Sequence, residues 1–115
     1  MQTDVERMRH NLERGEILRV LQVDFCSSAT MLKTLRGALA LGGYPLTLDG
    51  LSFHLEVLAQ QGYIELNRAE DTPGYRQDRM SALWKKPNTI ISAKLLAKGL
   101  MLIDALIPSD PTVNF

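Results

Sequence analysis

Cysteine is nearly missing from this chain of 115 residues, where Cys26 stands alone. No intrachain disulfide can form and no thiolate metal cluster can assemble, so Cys26 reads as a lone buried thiol, with a reactive or intermolecular thiol as the alternative. Long hydrophobic runs are missing too. No apolar stretch exceeds four residues, as at Ala38–Leu41, whereas a membrane-spanning helix needs about 20. The charged segment Met1–Arg9 lacks the apolar centre of a secretory signal. The chain is therefore expected in the cytoplasm, without a membrane partner. Catalytic signatures are also lacking: there is no phosphate-binding glycine loop, paired-histidine zinc motif or nucleophile elbow. His10 and His54 fall on different expected helices, and the adjacent acids Glu70 and Asp71 sit among basic residues. The sequence predicts no enzyme, no cofactor and no metal site.

An excess of one charge is missing as well, since 13 basic side chains meet 13 acidic ones. Their distribution is uneven. Residues 37–67 hold Asp49, Glu56 and Glu65 and not one lysine or arginine. Residues 68–98 hold seven cations against three anions. Any attraction for phosphates is expected from that second stretch.

What is present is leucine at helical spacing. A first helix is predicted over Asp4–Val23, capped by Asp4, with Met8, Leu12, Ile17, Leu18 and Leu21 inward. Ser27 or Ser28 is the expected cap of a second helix, whose Leu32, Leu35 and Leu39 share one face and which Gly42 and Gly43 stop. Thr47 caps a third, with Leu48, Leu51, Leu55 and Leu58 in one stripe and Gly62 just past its end. Tyr63–Leu66 leads out as a strand and Thr89–Ala93 reads as another. Between them Thr72-Pro73-Gly74-Tyr75 is a turn, and Asp78–Lys86 fits a short helix or a return strand equally well. Leu96, Leu100, Ile103, Leu106 and Ile107 define a final helix ending near Pro108, and residues 108–115 read as a tail. The expected fold is mainly α with a small antiparallel β-hairpin: one winged helix-turn-helix domain over residues 1–107, with an enlarged wing and a C-terminal helix.

The run Leu48-Asp49-Gly50-Leu51-Ser52-Phe53-His54-Leu55-Glu56-Val57-Leu58-Ala59-Gln60-Gln61-Gly62-Tyr63-Ile64 resembles the recognition helix and first wing strand of winged-helix regulators. Leu95-Leu96-Ala97-Lys98-Gly99-Leu100 is similar to the family's passage from strand to last helix, with Leu96 where a threonine cap is usual. Residues 16–107 together resemble small winged-helix proteins of Mu-like prophages, with an insertion of about 20 residues at the wing tip. The resemblance implies the fold. Function stays open, because this fold serves nucleic-acid binding and protein assembly alike.

In such a fold the third helix enters the major groove. Ser52 and Gln60 are its candidate base contacts, but Asp49 and Glu56 would face phosphates with no cation beside them. His54 suits either a base contact or a hydrogen-bonded structural role. Further candidate DNA contacts are Lys33 and Arg36 on helix two, and Arg68, Arg76, Arg79, Lys85 and Lys86 in the wing, where Tyr75 and Trp84 add aromatic surface. One expectation is a small DNA-binding regulator of duplex DNA, acting as a homodimer through Leu100, Ile103, Leu106 and Ile107. The other is a protein-interaction module that meets another phage or host protein and reads no nucleic acid.

Overall fold

The computed structural model describes residues 3–23, 29–69 and 89–115. Cys26, Ser27 and Ser28 lie outside the described residues, as does the stretch from Glu70 to Asn88, on which the expected turn at Pro73 and the undecided Asp78–Lys86 fall. Four helices and a small three-stranded antiparallel sheet make up the described chain.

Helix α1 spans Asp4–Val23. Its cap is Thr3, one residue before the expected Asp4: the Thr3 hydroxyl accepts from the Glu6 amide at 3.2 Å. Asp4 and Glu6 instead sit in the first turn, where acids complement the helix dipole. Ile17, Leu18 and Leu21 are buried as expected, but Met8 is 58% exposed, in a stretch from Thr3 to Arg9 that is exposed throughout. Strand β1, Thr30–Met31, was not foreseen. It pairs with β3 through Thr30↔Ala93 and Met31↔Ser92. Helix α2, Leu32–Leu41, therefore starts directly from a strand, at Met31, with no side-chain cap. A cap from Ser27 or Ser28 is ruled out by that starting point.

Helix α3, Leu48–Gln60, begins as predicted, with the Thr47 hydroxyl accepting from the Gly50 amide at 3.0 Å. Leu51, Leu55 and Leu58 are wholly buried, whereas Leu48, expected in the same stripe, is 51% exposed. Leu48 shares their side of the helix but occupies the first turn, beyond the edge of the core. Both α2 and α3 end in paired backbone bonds around a left-handed glycine. At α2, Tyr44 donates to Leu39 and Gly43 to Ala40; at α3, Tyr63 donates to Leu58 and Gly62 to Ala59. Gly43 and Gly62 hold φ of 91° and 83°, which a side chain would disfavour.

Strand β2, Ile64–Arg68, and strand β3, Ile90–Leu95, pair antiparallel, with a bulge between Asn67 and Arg68. The sheet order is β1-β3-β2, which makes β3 central. Accordingly Ile90, Ser92, Ala93 and Leu95 are all buried. Helix α4, Ala97–Ile103, starts at Leu96 without a side-chain cap. It stops short of Pro108, because Ala105 takes the left-handed conformation at φ 59° and turns the chain.

Residues 108–115 are no free tail. Val113 is buried in the core at 5% exposure, and the segment runs back across α1. Asn114 donates its amide to the Asn11 carbonyl at 3.0 Å. Gly15 makes room for this crossing: a Cβ there would run into the Asn114 carbonyl.

Candidate interaction surface

Where α1 meets α3, a polar cluster sits inside the domain. Glu13 and His54 are 3% and 2% exposed, and the His54 Nε2–H donates to Glu13 Oε1 at 3.0 Å. Arg9 lies 3.5 Å from the other Glu13 oxygen. The His10 ring stands edge-on to His54 at 5.3 Å. Burial pulls the His54 imidazole below its ordinary value, further lowered by Arg14 and His10 and opposed by the bond and charge of Glu13. His54 is thus a hydrogen-bonded structural histidine; it cannot touch a base from inside the domain.

A second polar group ties the C-terminal segment to α1. Arg14 donates to the Asn11 side chain and the Thr112 carbonyl, each at 3.2 Å, and Asn11 donates to the Pro111 carbonyl at 3.1 Å. Tyr63 donates its hydroxyl to Asp110 at 2.7 Å. Burial, together with that bond and the charge of Asp110, pushes the Tyr63 phenol up to about 12. Burial alone would raise Asp110. The bonds it accepts from Thr112 and Tyr63, with the Arg14 charge, outweigh that and hold its carboxylate below the ordinary value. Neither cluster was legible in the sequence, because Glu13 and Arg14 carry no spacing signal that marks them as buried, and Asp110, half-buried, none that marks it as a partner of Tyr63.

The outer face of α3 differs in character. Asp49 and Gln60 are exposed, Ser52 is half-buried, and Phe53 is 56% exposed with Arg14 over its ring at 6.0 Å. Glu56 is engaged by Arg68 of β2 at 2.7 Å. That ion pair takes up a candidate DNA contact and answers the charge of one acid on the helix. Arg76, Arg79, Lys85 and Lys86 lie outside the described residues, with Tyr75 and Trp84.

Lys33 and Arg36 are both exposed on α2. With Gly37, Ala40, Pro45 and Leu46 they line an open groove of about 440 Å³ between α2 and the turn into α3. The Arg36 Nε–H donates to the Leu46 carbonyl at 2.9 Å and braces the two walls. Of the expected dimer face, Leu100, Ile103 and Ile107 pack partly buried against the chain's own core, while Leu106 is 70% exposed. Most of that apolar face is therefore occupied within one copy.

Among the described residues no helix is long and apolar enough to cross a membrane, and no group of three His, Cys, Asp or Glu side chains is placed to hold a metal ion. Compared with protein families, curated proteins and solved structures, the chain matches none of them.

Proposed function

We propose that this chain is a winged-helix domain that works through protein contacts, with α3 facing a protein and not a nucleic-acid groove. The element order helix, strand, helix, helix, strand, strand, helix and the strand order β1-β3-β2 support the fold reading. One observation carries the functional reading: the exposed residues of α3 are Leu48, Asp49, Phe53 and Gln60, and none of them is a cation. A helix in the major groove lies between rows of phosphates, and an acid in its first turn repels them where the helix dipole would attract. Exposed leucine and phenylalanine gain nothing from phosphate, but release water against an apolar partner surface. The test is a mobility shift with mixed-sequence duplex at about 50 mM and about 200 mM salt. The expected result is no binding that depends on α3. Loss of a duplex complex in Ser52→Ala with Gln60→Ala would sink the reading.

A second reading has its own support. Lys33 and Arg36 project from α2, the helix that crosses the phosphate backbone in this fold. With Arg76, Arg79, Lys85 and Lys86 of the wing they would make a small regulator, of the kind phages carry, that grips the DNA backbone. Such binding would be weak, steep in salt, and lost when those four wing cations become glutamate.

A further inference from the structure

The groove on α2 and the start of α3 are neighbours in the chain and opposites in chemistry. Lys33, Arg36, Gly37 and Ala40 recur at the spacing that puts them along one side of a helix. Pro45 and Leu46 form the facing wall. Among the described residues that line it, four are uncharged and apolar, both charged ones are cations, and none is an acid. A Cβ added at Gly37 would meet nothing within 4 Å, so the groove is open above that point. The bond from Arg36 Nε to the Leu46 carbonyl fixes the guanidinium at the rim. Two residues beyond Leu46 the chain presents Leu48, 51% exposed, and then Asp49, also exposed. Within a few residues of each other the chain thus carries a socket for an apolar group beside an anion and an exposed apolar group beside an anion.

We infer that this surface is self-complementary and joins two copies of the chain about a two-fold axis. Leu48 of each copy enters the apolar groove of the other, and Asp49 meets Lys33 and Arg36. A two-fold arrangement makes every contact twice, so a modest patch is doubled. A second copy is the fitting occupant because both halves of the charge match stand on this chain. Asp49 is an exposed acid, and the charged residues among those described in the groove are the cations Lys33 and Arg36. The C-terminal leucines and isoleucines offer less, since most already pack on their own core. This inference rests on the protein-contact reading and names its partner.

Sedimentation equilibrium of the full chain at low salt tests it. A reversible dimer that loosens as salt rises is expected. Lys33→Glu with Arg36→Glu, and separately Asp49→Lys, should each weaken the dimer about tenfold or more, and an equimolar mixture of the two should restore it. Gly37→Trp, which leaves every charge and the Leu46 brace in place, should weaken it comparably by filling the groove. Circular dichroism melting confirms that each variant is folded. A wild-type chain that stays monomeric, or a dimer indifferent to all three variants, overturns the inference. If that monomer also ignores duplex DNA, the protein-contact reading stands with a different partner. Duplex binding that depends on α3, by a chain that stays monomeric without DNA, overturns both.

Discussion

At the scale of single residues, the buried pair of Glu13 and His54 makes stability sensitive to acid. Burial keeps the folded His54 below its ordinary 6.5, so the unfolded chain takes up the proton first as pH falls. The stabilisation is whole above about pH 6.5 and fades beneath it, through the lowered folded value. Urea midpoints should therefore fall between about pH 7.5 and about pH 5.5 in the native chain, and His54→Gln should flatten that slope. Asp110 acts in the same direction in a lower window, near its ordinary 3.8, because its folded carboxylate is held down. Gly15 shows another effect of close packing. By helix propensity alone, Gly15→Ala should stabilise α1 by about 1 kcal/mol. Here the added methyl meets the Asn114 carbonyl, so a net loss of roughly 1–3 kcal/mol is expected in urea unfolding. A gain in that experiment would mean the crossing segment yields without cost.

At the scale of elements, α3 separates the leucines that hold the fold from the one that does not. Leu55 is wholly buried, and Leu55→Ala should cost about 2–5 kcal/mol. Leu48→Ala, at the exposed first turn, should change monomer stability by no more than about 0.5 kcal/mol when measured at concentrations too low for association. The repeat of leucines every three or four positions predicted both alike, since spacing marks a side of a helix but not where the core ends. Helix stops were the most legible features. Gly43 and Gly62 sit where left-handed backbone is needed, and chemistry local to the chain decides that. Strand β1 was illegible because Thr30 and Met31 are a strand only by pairing with Ser92 and Ala93 far along the chain. The end of α4 misled for a related reason: Ala105 adopts a conformation that alanine seldom takes, so no residue type announced the turn. The candidate surface was partly legible. Lys33, Arg36 and Asp49 stood out by charge, but the groove between the first two and Leu46 depends on how α2 and the following turn are folded.

At the scale of the whole molecule, the C-terminal segment closes the structure on its first helix. It buries Val113, caps Arg14 and Asn11 with backbone carbonyls, and holds Tyr63 through Asp110. Removing residues 109–115 gives up roughly 1.5–3 kcal/mol of apolar burial at Val113 alone. The truncated chain should melt roughly 10 °C lower. Amide exchange should quicken selectively along the middle turns of α1; an unchanged melting point would show that the segment is mere decoration. The bond from Asn11 to Pro111 joins positions 100 apart in the chain. A ribosome thus makes the two partners of this clasp 100 residues apart. Until Val113 emerges, α1 waits with its polar flank wet and one side of the core unsealed, a window in which a chaperone or a protease meets a flank of α1 that the folded protein covers.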